Sequence, residues 1–162
     1  MTYATNYVTV PEVDAYALAL GYADWAGTVE DKEAAIRRAE DWLDGAYRNR
    51  FPGTKAGGRD QVAEWPRDNA RDAEGIIVEG IPREIKQATM EAAMREIKVP
   101  FSLTPDIVLG KEKVLTGVGS VQWTALGKGT INDLLPTLTS VDHALTGLIG
   151  KASGNTFNLM RA

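Results

Sequence analysis

Between residues 29 and 50, apolar residues recur at intervals of three and four, a spacing that places them on one face of an α-helix. The apolar residues of this stripe are Ile36, Ala39, Leu43 and Tyr47. Thr28 and Asp31 precede it with the spacing of a capping box, and Pro52 and Gly53 follow it as a stop signal. The pattern predicts a helix over about 29–50, with Arg48 and Arg50 in its last turn.

Three further segments have helical signals. Thr9 and Glu12 form a capping pair before an Ala- and Leu-rich run, which predicts a short helix from Glu12 to Leu20. A second run begins at Pro82 and extends to about Lys98, where Pro100 stops it. A last helix is predicted after Ser140 and ends before Gly150.

Between the helices the pattern changes. Residues 52–80 contain several glycines and prolines and predict an irregular segment, a length of loop that is more often functional than neutral. Short β-prone runs separated by glycine occupy about 107–124 and predict a β-hairpin over Lys111–Thr124. The expected fold is therefore mainly α, with a small core of about four helices, a β-hairpin excursion and an extended C-terminal tail. We expect one domain over residues 1–150 and a separate tail over 151–162.

Composition removes several classes of function. The chain of 162 residues has no cysteine and one histidine, which excludes thiolate metal sites and cysteine nucleophiles. His143 has no motif around it that supplies a nucleophile or an orienting acid, so no enzyme activity and no cofactor or metal are expected. Membrane association is not expected either, because no apolar run has the length of a membrane span and the first ten residues do not resemble a signal peptide.

Charge is unevenly distributed along the chain. The net charge is −4, yet residues 1–45 carry 3 basic and 9 acidic residues (−6), whereas residues 46–71 carry 6 basic and 3 acidic residues (+3). Glu40 and Asp44 lie one helical turn apart in the acidic part, and we interpret them as a solvated face. The acidic balance of the whole chain weighs against non-specific binding of DNA.

The basic part mixes arginines with aromatic rings and allows two interpretations. The residues concerned are Arg48, Arg50, Phe51, Trp65 and Arg67. Such a mixture is typical of proteins that stack bases on rings and pair cations with phosphates. The favoured alternative is that the rings anchor the long loop to the core while the arginines pair with acids of the same chain or of a neighbouring subunit. Nearby acids that are able to do so are Asp60, Glu64, Asp68 and Asp72.

The order of motifs from Ala34 to Ala93 resembles a known family. It begins with Ala-Ala-Ile-Arg-Arg-Ala-Glu-Asp-Trp-Leu-Asp at 34–44 and continues with Tyr47-Arg48-x-Arg50-Phe51-x-Gly53. Gln61-x-x-x-Trp65-Pro66-Arg67 comes next, and Gly80-Ile81-Pro82 then leads into Ile85-Lys86-x-Ala88-x-x-Glu91-x-Ala93. This order is similar to that of small head–tail adaptor (connector, head-completion) proteins of tailed phages. It also resembles phage proteins labelled DnaT-like single-stranded DNA-binding.

The adaptor resemblance implies a structural virion protein, made in the host cytoplasm and placed at the head–tail interface. Such proteins form a ring, usually dodecameric, beneath the portal protein; the ring links capsid to tail, lines the DNA channel and lies above a tail or nozzle protein. On this basis we expect Arg48, Arg50, Trp65 and Arg67 at a subunit interface or loop anchor. Lys111 and Lys113 are expected to face the channel, where non-specific contact with genome DNA is possible, or the tail. The portal-binding residues are expected to be Asn155, Phe157, Leu159, Met160 and Arg161.

The second resemblance implies a different function, a single-stranded DNA-binding protein of replication. Its support in the sequence is the arginine and aromatic mixture of residues 48–67. Salt-dependent binding of oligonucleotides distinguishes it from the adaptor hypothesis, which predicts binding to the portal instead.

Overall fold

The computed structural model describes residues 6–105 and 137–149, together with the backbone of two strands at 113–117 and 122–125. The helices in these ranges are α1 (Val10–Leu20), α2 (Val29–Tyr47), α3 (Arg83–Lys98) and α4 (Thr139–Leu145). The strands are β1 (Thr54–Lys55), β2 (Arg67–Asp68), β3 (Lys113–Gly117) and β4 (Gln122–Ala125). The predicted mainly α fold with a small β-hairpin is confirmed, and the predicted tail at 151–162 lies outside the described residues.

The core forms where α2 packs against α3 and α3 packs against α4. The apolar stripe predicted for α2 is buried there, with Ile36, Ala39 and Leu43 fully inaccessible to solvent. The facing side chains are Ile85, Ala88, Ala92 and Ala93 on α3 and Val141 and Leu145 on α4. Alanines at the contact allow the helices to approach closely, and each large side chain buried in this way contributes about 1.5–3 kcal/mol.

The helix ends agree with the local sequence signals, with two corrections. The last helix, expected to continue to Gly150, ends at Leu145. The carboxylate of Glu12 accepts hydrogen bonds from the N–H and the hydroxyl of Thr9, and the Thr28–Asp31 capping box is formed before α2. However, α2 ends at Tyr47, and Arg48–Arg50 form a 3₁₀ turn rather than the last turn of the helix. Phe51, with ψ of 134°, is extended because the following Pro52 disfavours helical backbone at the preceding position.

The predicted irregular segment at 52–80 contains a minimal antiparallel ladder. Strand β1 pairs with β2, with Thr54 opposite Asp68 and Lys55 opposite Arg67. Gly53 makes this return possible, because its φ is 71° and a Cβ there would lie 2.4 Å from the carbonyl oxygen of Asp68. The rest of the segment is held by isolated bonds, such as that from Ala73 N–H to the carbonyl of Gly147 beyond α4 (3.0 Å).

The predicted hairpin is formed by β3 and β4, which pair antiparallel with Val114 opposite Thr124. The register shifts between Leu115 and Gly117, which marks a bulge in β3. Among the described residues, no helix is both long and apolar enough to cross a bilayer.

Candidate functional site

The aromatic rings of the arginine-rich segment lie inside the core. Trp65 is 1% exposed and Phe51 is 6% exposed. The two rings meet edge to face, with 5.9 Å between their centroids, a favourable arrangement for an aromatic pair. The peptide bond between Trp65 and Pro66 is cis. These rings hold the loop on the core, and neither presents a face on which a base could stack.

Glu64 lies close to three cationic side chains of the loop. It is almost fully buried, and its carboxylate lies 2.8 Å from Arg67 Nη1, 3.2 Å from Lys55 Nζ and 3.9 Å from Arg48 Nε. A buried carboxylate requires such partners, because an isolated charge is costly to remove from water. Of the four nearby acids named from the sequence, Glu64 is the one that Arg48 and Arg67 approach.

Arg67 closes the loop with its whole guanidinium group. Beyond the bond to Glu64, its Nε donates to the carbonyl of Pro52 (2.7 Å) and its Nη2 donates to the carbonyl of Gly53 (2.8 Å). The forked geometry of arginine suits this set of acceptors, which a lysine cannot satisfy together. Arg67 therefore fixes the two ends of the β1–β2 loop against each other.

A network of hydrogen bonds connects this loop to Tyr7 and α2, and the sequence did not predict it. The hydroxyl of Tyr7 donates to both carboxylate oxygens of Asp44, at 2.7 and 2.9 Å, and accepts from the N–H of Trp65 at 3.2 Å. Asp44 also accepts from the N–H of Glu64 (2.9 Å), and Glu40 accepts from the N–H of Tyr7. No sequence signal linked Tyr7 to Glu40 and Asp44, which lie 33 and 37 residues further along the chain.

The interpretation of Glu40 and Asp44 as a solvated face was wrong, since both carboxyl groups are partly buried under the N-terminal segment. Burial raises the pKa of Glu40 to about 7, and the nearby Asp44 adds to the shift. Burial also raises the pKa of Asp44 and, together with the Asp44 charge, that of the Tyr7 hydroxyl. The network ties the N-terminal segment and the loop to α2.

Arg50 lies at a junction between two helices. Its Nη1 is 3.8 Å from Asp142 Oδ1 on α4, and its guanidinium lies 5.2 Å from the ring of Tyr47. The hydroxyl of Tyr47 donates to the same Asp142 oxygen at 2.7 Å. Asp142, in the first turn of α4, thus joins the end of α2 to α4.

Several guanidinium groups of the segment remain at the surface. We name the side chains of Arg48, Arg50, Arg59 and Arg71 the basic loop surface, since all four residues are exposed and lie within the segment of charge +3. Arg48 also donates to the carbonyl of Asp44 (3.4 Å), and Arg71 to that of Gly75 (2.7 Å). Such a set of groups pairs readily with anions, phosphates in particular.

The remaining predicted site residues are not brought to this surface by the described structure. Lys113 is the first residue of β3, where only the backbone is described. Lys111 lies outside the described residues, as do Asn155, Phe157, Leu159, Met160 and Arg161. Within the described part of the chain, no three side chains of the His, Cys, Asp or Glu type are grouped as a metal site.

Comparison with known proteins relates the chain to a protein family. The chain matches, over residues 2–162, the model of a protein family described as "Putative DnaT-like ssDNA binding protein". No curated protein and no solved structure is significantly similar to the chain.

Proposed function

The chain belongs to the family of DnaT-like ssDNA-binding proteins, and from this premise we propose that it binds single-stranded DNA through the basic loop surface. The observation that carries the proposal is the exposure of Arg48, Arg50, Arg59 and Arg71 in a segment of charge +3, within a chain of charge −4. The proposed role is binding without catalysis.

The proposed contact at this surface is made to the phosphates. Phe51 and Trp65, the rings interleaved with these arginines, are buried against each other. Base stacking, which usually supplies much of the affinity for single strands, therefore has no ring to use here. Guanidinium groups that neutralise phosphates release counterions, so the affinity is expected to fall steeply with salt.

The charge of the first part of the chain does not favour a polyanion. Residues 1–45 carry a net charge of −6, against +3 for residues 46–71. Lys55 and Arg67 form ion pairs with the buried Glu64, so their charges contribute little to the binding of an outside ligand. Arg48 and Arg50 also pair with acids, Glu64 and Asp142, but they are exposed, as are Arg59 and Arg71, and can therefore meet a strand.

The test is fluorescence anisotropy of a labelled thymidine oligonucleotide over a series of salt concentrations. The variant Arg59→Gln removes one exposed charge from the basic loop surface, and Arg83→Gln removes one from the start of α3, where the side chain is 93% exposed. One lost phosphate contact should reduce the slope of log affinity against log salt by about 0.7 for single-stranded DNA. We expect this for Arg59→Gln and no change for Arg83→Gln.

A triple variant, Arg48→Gln with Arg59→Gln and Arg71→Gln, should lower the affinity at low salt by at least about tenfold. Circular dichroism would verify that its helices are intact. Wild-type protein that fails to bind at low salt would refute single-stranded DNA binding. Equal binding by the triple variant would refute the basic loop surface as the contact.

A second candidate function is the structural adaptor between phage head and tail. The observation that favours it is a set of exposed apolar side chains, with Leu18 85%, Leu20 56%, Ile76 59% and Ile77 57% exposed. Exposed apolar groups of this kind suit contacts between subunits of a ring. In this proposal the protein resides in the virion. The residues that dock on the portal are Asn155, Phe157, Leu159, Met160 and Arg161.

Sedimentation velocity separates the two candidates. The protein would be run alone and mixed with the portal ring encoded by the same genome. Added mass that saturates on the portal supports the adaptor, and the mass gives the stoichiometry. A portal boundary that does not move, with oligonucleotide binding intact, leaves DNA binding as the function.

A further inference from the structure

Phe101 is a large apolar ring held out in solvent. It is 65% exposed, although α3 ends only three residues earlier and Leu103, two residues later, is fully buried. Its φ is 63°, in the left-handed region that a side chain with a bulky ring seldom adopts. A conformation of this kind persists only where the surrounding structure imposes it.

The buried carboxylate of Glu96 holds the backbone of this turn in place through hydrogen bonds. Glu96 is 1% exposed, and its Oε2 accepts from the N–H of Phe101 at 2.8 Å while its Oε1 accepts from the N–H of Leu103 at 3.1 Å. Oε2 also accepts from Arg38 Nε at 2.9 Å. The buried carboxylate thus fixes the turn on both sides of Phe101 and holds Arg38 against the same turn.

Arg38 and Phe101 form one continuous surface. The guanidinium carbon of Arg38 lies 4.9 Å from the centroid of the phenyl ring, a cation–π contact. Arg38 is partly exposed, and two exposed cations stand in the last turn of α3: Arg95, whose Nε lies 3.3 Å from Ser102 Oγ, and Lys98, paired with Asp24 at 2.7 Å. A cavity of about 320 Å³ opens beside this turn, lined in part by Asp31, Arg38, Ile97 and Pro100.

We propose that Phe101 and Arg38 form a stacking platform for one unpaired nucleobase of the bound strand. The guanidinium group of Arg38 lies over one face of the phenyl ring, so the ring offers its other face to the base. Arg95 and Lys98, in the last turn of α3, supply cations for the flanking phosphates. This inference rests on the proposed function and adds a second contact of a different kind. The basic loop surface holds the backbone of the strand, whereas the platform holds a base.

The chemistry around the ring favours a base over a protein partner. An apolar protein surface that covered the ring would also have to cover Arg38, Arg95 and Lys98 and remove their charges from water, which is costly. A nucleotide presents a π-face and a negative charge together, and so satisfies both the ring and the cations. The platform reads no particular base, since every base has a π-face.

The experiment compares two oligonucleotides of equal length and charge, one of thymidines and one with abasic sites in place of the bases. Binding through phosphates alone treats them alike, so the ratio of their affinities isolates stacking. The variants are Phe101→Leu, which removes the ring, and Phe101→Tyr, which keeps it. We expect Phe101→Leu to bind the thymidine oligonucleotide about 5- to 100-fold more weakly, with no change for the abasic one. Phe101→Tyr should keep the wild-type ratio.

The outcomes separate this inference from the proposed function. If the wild-type protein binds and Phe101→Leu keeps its ratio, the platform is refuted while single-stranded DNA binding stands. If the wild-type protein binds neither oligonucleotide, both are refuted. If Phe101→Leu changes only the sedimentation of the protein, the ring serves contacts between copies of the chain and the platform is again refuted.

Discussion

The ring of Phe51 meets the indole of Trp65 at an interplanar angle of 69°, and the pair closes the arginine-rich loop onto the helical core. Phe51 ends the segment that follows α2, and Trp65 stands just before β2, so their contact fixes both ends of the loop. The same pair that makes this segment look like a base-stacking site in the sequence is therefore a structural element. Arg67 also serves the loop, whereas the arginines of the basic loop surface stay exposed.

The role of Trp65 in stability can be tested by truncation. Trp65→Ala removes a fully buried ring and should lower the free energy of unfolding by about 3–5 kcal/mol. Trp65→Phe keeps an aromatic ring against Phe51 and should cost much less. Urea denaturation followed by circular dichroism measures both. A loss below about 1 kcal/mol for Trp65→Ala would contradict the loop anchor.

Arg67 and Arg48 provide a matched pair for the loop, because both approach Glu64. Arg67 is nearly buried and donates to two backbone carbonyls besides the carboxylate, so Arg67→Lys should destabilise the protein by about 1–3 kcal/mol. Arg48 is 57% exposed and 3.9 Å from Glu64, so Arg48→Lys should change stability by less than about 0.5 kcal/mol. Equal losses in urea denaturation would show that the forked contacts of Arg67 carry no special weight.

The main elements follow from local patterns and are predictable for that reason. The stripe that contains Ile36 and Leu43 predicts both the presence of α2 and its buried face, because periodicity and capping are local properties. Phe101 shows the limit: the preceding Pro100 predicts only the end of α3. The ring is held outward by contacts with Glu96 on α3 and Arg38 on α2. Such a contact between residues of different helices produces no periodic pattern in the sequence from which it could be predicted. The role of Tyr7 could not be predicted from the sequence for the same reason, because its partner Asp44 lies on another element.

The carboxyl group of Glu40 predicts a dependence of stability on pH. Burial raises its pKa in the folded protein to about 7, against an ordinary value of 4.5. Between these two values the folded state holds a proton that the unfolded state has released, so the free energy of unfolding decreases as the pH rises. At about 1.4 kcal/mol per pKa unit, a window of about 2.5 units corresponds to a loss of at most about 3.5 kcal/mol. Asp44, whose pKa is also raised by burial, adds a term of the same sign.

Glu40→Gln isolates this term, because an amide oxygen still accepts from the N–H of Tyr7 but does not titrate. Urea denaturation at pH 4.5 to 8 would give the difference in unfolding free energy between wild type and variant at each pH. We expect the wild type to lose stability relative to the variant as the pH rises through this range. A difference that stays constant from pH 4.5 to 8 would contradict the shifted pKa.

The turn at Phe101 predicts a conflict between stability and binding. A bulky residue in the left-handed region costs about 1–2 kcal/mol, whereas glycine adopts this region freely. Because the ring is 65% exposed, its removal forfeits little burial. Phe101→Gly should therefore be as stable as the wild type or up to about 1 kcal/mol more stable in urea denaturation, while its binding of the thymidine oligonucleotide weakens as for Phe101→Leu. A loss of more than about 1 kcal/mol on Phe101→Gly would show that the ring serves the fold, and the strain would then need no functional explanation.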